Sequence, residues 1–123
     1  MEKINTYQVG RRGEDIAVDF LENLGYKILT RNYIHNKKEV DIVARDKNEV
    51  VFVEVKQRAT GQFGQPYKAV NRKKQQSIIM AADNYIKRYN IDLEARFDVI
   101  SIVLGTSLTP QIEHIKNAFV PLI

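Results

Sequence analysis

The chain has 123 residues, 44% of them apolar and 28% charged, with a net charge of +4 and no cysteine. That length holds one domain with a real core, spanning 1–123, and excludes two; the missing cysteines exclude disulfides and thiolate zinc sites and agree with a reducing compartment. No apolar run approaches the roughly 18 residues of a membrane span, and Met1 to Gly10 lacks the apolar centre of a secretion signal, so the expectation is a cytoplasmic protein with no membrane partner.

The first element reads as a helix from Gly13 to Leu24, because Ile16, Ala17, Phe20, Leu21 and Leu24 recur at helical spacing and Gly25 stops it. Glu14 stands one helical row from that stripe. It can simply complement the helix dipole, or it can serve a site if the helix start abuts the sheet. Tyr26 to Thr30 reads as a first strand, followed by the polar Arg31-Asn32 and a second strand from about Glu39 to Ala44. His35 falls in the polar turn between them and reads as a surface residue.

Glu49-Val50-Val51-Phe52-Val53-Glu54-Val55-Lys56-Gln57-Arg58 is the stretch around which the rest is organised. Its apolar half suits only a buried central strand, from about Val50 to Arg58. Strand side chains repeat every two residues, so Glu54 and Lys56 leave on one face. Asp41 opens the apolar run Ile42-Val43-Ala44, and the polar Arg45-Asp46-Lys47-Asn48 is short enough to turn the chain into a hairpin that sets Asp41 beside Glu54. Two carboxylates and a lysine on one face suit metal-assisted phosphodiester hydrolysis. Alternating charge along a strand is equally the mark of a solvated face.

Ala59 to Pro66 is a loop with two glycines and a proline, followed by the longest helix, roughly Tyr67 to Tyr89. Its buried row runs through Ile78, Ala81, Ala82, Tyr85 and Tyr89, and Lys74 falls on that row, turned toward the sheet, where it can also be a lysine snorkelling at a core edge. From Val55 to Ala82 there is no acidic residue, while Lys56, Arg58, Lys68, Arg72, Lys73 and Lys74 all fall there. Such a stretch is either a solvated basic face or a surface for a polyanion. Arg58, Arg72, Lys73 and Lys74, with Arg31, are the candidate nucleic-acid contacts. Ala95 to Leu104 reads as a fourth strand and Gln111 to Lys116 as a fifth, after a turn over Gly105 to Pro110; His114 reads as half-buried at the surface. The order αβββαββ is an α/β sandwich with a mixed sheet.

With these residues in place the chain resembles the bacterial YraN-like family over Gly10 to about Leu104. The residues that carry the likeness are Gly10-Arg11-Arg12-Gly13-Glu14 with Ala17, Gly25-Tyr26, Arg31-Asn32, Glu39-Val40-Asp41, Phe52-Val53-Glu54-Val55-Lys56-Gln57-Arg58, Phe63-Gly64 and Arg96-Phe97-Asp98-Val99. That family resembles the archaeal Holliday-junction resolvases and, through them, the PD-(D/E)xK nucleases, which implies a restriction-endonuclease-like αβββαβ core with helices flanking a mixed sheet.

The resemblance puts the superfamily's aspartate on Asp41, its Glu-x-Lys on Glu54 and Lys56, the resolvase first-helix glutamate on Glu14 and the second-helix lysine on Lys74. It implies one Mg²⁺, with Mn²⁺ as its substitute, held by Asp41 and Glu54, anchored by Glu14 directly or through water, with the Val55 carbonyl as a further ligand. Lys56 would orient or deprotonate the attacking water. Lys38 departs from the glycine usual before Glu39, which bears on the approach to Asp41. Two functions follow: a metal-dependent endonuclease on DNA, branched DNA included, acting as a homodimer to cut opposing strands, or a non-catalytic nucleic-acid-binding or assembly module on the same fold.

Overall fold

Val50, Val51, Phe52 and Val53 are all fully buried, which a strand achieves only when both of its faces are covered. In the computed structural model, which describes residues 6–58, 70–104 and 109–121, they lie on the middle strand of five. The elements are α1 (Thr6–Asn23), β1 (Lys27–His35), β2 (Lys38–Asp46), β3 (Glu49–Arg58), α2 (Arg72–Arg88), β4 (Glu94–Val103) and β5 (Gln111–Phe119). This is the expected order αβββαββ, and its first six elements are the αβββαβ core that the resemblance implies.

The strands stand side by side in sequence order. Neighbours are antiparallel except β3 and β4, which run parallel and therefore need the crossover that carries α2. Ala17 and Leu21 of α1 pack on Ile42, Ala44, Val51, Val53, Ile100 and Ile102 of one sheet face. Ile78, Ala81, Ala82 and Tyr85 of α2 pack with Val43, Val50, Phe52, Phe97 and Val99 on the other.

Several boundaries differ from the sequence reading, each for a physical reason. α1 begins earlier, at Thr6, because a helix propagates cheaply from a stable turn and needs no apolar stripe to do so. Its end is a left-handed cap: Gly25 has φ 93°, Gly25 N–H donates to Glu22 and Tyr26 N–H to Leu21, and the chain drops Tyr26 into the core while Leu24 stays exposed. β1 does not stop at Thr30 but runs through Arg31-Asn32, because Asn32 takes up a left-handed φ of 55° inside the strand. His35 is thus the half-buried last residue of β1, paired with Lys38 across a two-residue turn whose Asn36 and Lys37 have φ 49° and 63°.

α2 begins at Arg72 because Asn71 caps it, its Oδ1 accepting from Lys74 N at 2.8 Å. Val70 and Asn71 are therefore not helical. Tyr89, expected on the buried row, is half exposed and caps the other end. β5 runs on past Lys116 to Phe119, whose ring stacks on Phe97 at 5.2 Å. The loop expected over Ala59 to Pro66, with Lys68 and most of the final turn, lies outside the described residues. Among the described residues no helix is long and apolar enough to cross a membrane.

Candidate metal centre at a fork in the sheet

The ladder between β2 and β3 runs from Asp46 opposite Glu49 to Ile42 opposite Val53 and ends there. Beyond it β2 stays paired only with β1, as far as Lys38 and His35, and β3 only with β4, as far as Arg58 and Val103. Asp41 and Glu54 are the next residue on each strand, so they stand where the sheet forks. Asp41 Oδ2 accepts from Val55 N at 2.8 Å, a side chain doing at the fork what the ladder does below it. On the β3 arm Lys56 Nζ lies 3.7 Å from Glu54 Oε1, and Lys74 Nζ, reaching in from α2, lies 4.0 Å from the same oxygen. Asp41, Glu54, Lys56 and Lys74 are thus gathered as the sequence reading expects.

Gly13 brings α1 close to this place, since a Cβ there would collide with the Gln57 side chain. Its neighbour Glu14 is half-buried and offers an oxygen within 4.8 Å of oxygens of both Asp41 and Glu39. Glu14 accordingly abuts the sheet. Two members were not singled out from sequence. Glu39 lies two residues before Asp41 on β2, and the same alternation that pairs Glu54 with Lys56 would have found it. Asn32, left-handed between the Arg31–Ile42 and Tyr33–Val40 pairs, hydrogen-bonds Glu14; an asparagine amid a polar pair gave no such signal.

Electrostatically the cluster is under-compensated. Glu54 is 5% exposed, and its Oε2, like Glu14 Oε1, is buried without a hydrogen-bond partner. Burial, then the charge of Asp41, pushes the Glu54 carboxyl up to about 7. The same two causes in the same order raise Glu14. Burial also raises Asp41 against the opposing bond from Val55. Among the described residues, Glu14, Glu39, Asp41 and Glu54 are met by the ammonium groups of Lys56 and Lys74 and, at Glu14, by the charge of Arg31. Hard oxygen donors with surplus charge are what a divalent cation such as Mg²⁺ takes, so the residues present fit the ion.

The other expected residues are placed less uniformly. Arg72 and Lys73 are exposed on the first turn of α2. Arg58 ends β3, half-buried, and its carbonyl accepts from Leu104 N. Arg31 is engaged at home, with Nη2 2.6 Å from Asp15 Oδ1. Lys38 lies in ordinary strand backbone, the left-handed positions being Asn36 and Lys37, so its replacement of glycine costs the turn nothing.

A second polar cluster lies on β4 and β5. Asp98 receives Arg96 Nε at 2.9 Å and Nη2 at 3.0 Å, the Asn117 amide at 3.0 Å, and shares a 2.7 Å bond with His114 Nε2. The remaining Arg96 donors reach Tyr26, Asp46 and Glu49. His114, half-buried as a residue, has a side chain only 7% exposed, a commitment that sequence did not reveal. Away from both clusters, a cavity of about 580 Å³ between α2 and the sheet is lined by Ile79, Met80, Ile86, Phe97 and Pro121 among others and holds none of the fork's carboxylates.

Comparison with known proteins matches residues 13–102 to the uncharacterised protein family UPF0102. A UPF0102 protein of Geobacter metallireducens is 48% identical over 117 residues, covering 94% of this chain and 95% of its own. One of Geobacter sulfurreducens is 49% identical over 112 residues, covering 90% and 88%, and one of Phocaeicola vulgatus 43% identical over 114 residues, covering 93% of each. All carry the fork's span of sequence, and none is named for an activity. The chain belongs to the uncharacterised protein family UPF0102, the YraN-like family whose motifs its sequence carries.

Proposed function

We propose that the protein is a metal-dependent endonuclease that hydrolyses DNA phosphodiester bonds, branched or otherwise distorted DNA being its substrate class. The observation that supports this reading best is the fork itself, where Glu54 gives Oε1 to two lysines and keeps Oε2, like Glu14 Oε1, buried without a hydrogen-bond partner. Asp41 and Glu54 would hold Mg²⁺ or Mn²⁺, with Glu14 as their anchor. Bound there, the cation supplies a Lewis acid for the phosphate and acidifies a water. Val55 N–H fixes one Asp41 oxygen and so fixes where the other points. Lys56, within 3.7 Å of Glu54, is placed to orient that water or accept its proton and to offset charge developing on the phosphate.

DNA binding is supported by the first turn of α2. Arg72, Lys73 and Lys74 sit there with no acid among them, against the preference of a helix dipole for negative charge at this end. A placement that disfavours the isolated helix suits one that meets a polyanion. Cutting both strands needs two such sites, so two copies of the chain would act on one duplex.

The test is a cleavage screen of linear, nicked, flapped and four-way DNA with Mg²⁺ or Mn²⁺, using wild type and Lys56→Met. A partly exposed pair contributes at most about 1 kcal/mol, so the variant should fold. Its rate should fall roughly a hundredfold or more, about 2.7 kcal/mol, while DNA affinity changes little. Wild-type protein that binds these DNAs yet cuts none would replace the enzyme reading with that of a binding module.

A further inference from the structure

Glu39 is not among the ligands that the family likeness assigns, yet it completes a group of three carboxylates whose oxygens lie within 4.8 Å of one another. We infer that Glu39 is itself a cation ligand, forming with Glu14 and Asp41 a three-carboxylate position for one divalent ion on the β2 arm of the fork. The inference rests on the metal reading above and adds a ligand to it.

Three observations carry it. One oxygen from each of Glu14, Glu39 and Asp41 lies within 4.8 Å of the others, the span of ligand oxygens around an ion that they approach at about 2.0–2.6 Å. The three come from two separate elements, α1 and β2, held together by the close approach at Gly13 and by Asn32, which hydrogen-bonds Glu14. Independently, Glu54, which stands across the fork from Asp41 and is only 5% exposed, keeps its Oε2 buried without a partner while its other oxygen faces the lysines. Glu54 is not a member of the close trio. The negative charges of Asp41 and then Glu39 nevertheless act on it, so it shares their surroundings. Three acids drawn this close without a cation would repel one another, and the two lysines that reach the fork form their ion pairs with Glu54.

The competing account is that Glu39 only adds negative potential. Salt would screen little between half-buried groups this close, so ligation and potential are separated by the ion's own shell: a lost ligand is replaced by a water, while lost potential leaves the number of bound waters unchanged. Mn²⁺ binding is measured by calorimetry on the full chain for wild type, Glu39→Gln, Asp41→Asn and, as an exposed control on β5, Glu113→Gln, each first checked for folding by thermal melting in EDTA. Glu39→Gln should weaken Mn²⁺ by well over about a hundredfold, beyond the roughly 10–100-fold that loss of a merely supporting partner costs. Water relaxation should report one more water on the bound Mn²⁺ than in the wild type. A loss without an added water, or one that matches Glu113→Gln, overturns the ligand role while leaving the metal reading intact if Asp41→Asn still abolishes binding. Wild-type protein that takes up no Mn²⁺ at millimolar concentration overturns both.

Discussion

The fork and the Arg96 cluster gather similar groups in similar burial, and they treat them in opposite ways. Asp98 is fully buried, and burial alone would raise its carboxyl; the bonds from His114, Arg96 and the Asn117 amide instead hold it below the usual carboxylate range. The sheet bends to achieve this, since its β4–β5 register slips between Phe97 and Val99 and Asn117 turns left-handed to aim its N–H at the carboxylate. At the fork the same burial goes unanswered: Glu14, Asp41 and Glu54 all titrate high and two of their oxygens have no donor. Burial therefore does not mark a site; the missing donors do. One cluster is finished by the chain's own donors; the other keeps two buried oxygens without one, which the proposed cation would answer.

The contrast can be broken by mutation, and the largest effect is expected at Asp98. Asp98→Ala strands a buried arginine and should cost about 3–5 kcal/mol in denaturant unfolding; a loss below about 1 kcal/mol would mean that the network carries no weight. Glu54→Gln should act in the other direction. With its carboxyl moved from 4.5 to about 7, the native state binds more protons than the unfolded state across that window, so wild-type stability falls as pH rises through it. In EDTA the variant should match wild type below pH 4.5 and exceed it by up to about 3 kcal/mol above pH 7. A destabilised variant at pH 8 would show that the lysine pairs outweigh the repulsion. The smallest change is Asn71→Ala, which removes the cap that starts α2 beside Lys74 and should cost about 1 kcal/mol, read as a small drop in melting temperature.

Much of this was legible in the sequence because it follows from period. Alternation on β3 put Glu54 and Lys56 on one face, and the helical row through Ile78 turned Lys74 inward. What escaped depends on partners far along the chain. Arg96 gathers Tyr26, Asp46 and Glu49 from three other strand ends, and no local pattern announces such pairings. Asn32 was read as part of a turn because polar pairs usually are, whereas a left-handed residue let β1 continue past it. Glu39 had a signal, its parity with Asp41, but it was spent on marking where a strand began.

The parallel pairing of β3 with β4 bears on how the molecule assembles. β1, β2 and β3 meet through short turns, so the meander that carries Glu39, Asp41, Glu54 and Lys56 can form early and locally. Glu49 finds Glu94, and Arg58 finds Val103, only after the crossover through α2 has closed, a slow class of contact because loop closure precedes its reward. Until β4 docks, the other edge of β3 presents unpaired backbone along its most apolar run, Val50 to Val53. That edge is the surface on which a half-folded chain would stick to its neighbours, so variants that slow the crossover should aggregate on refolding even where the finished protein is stable.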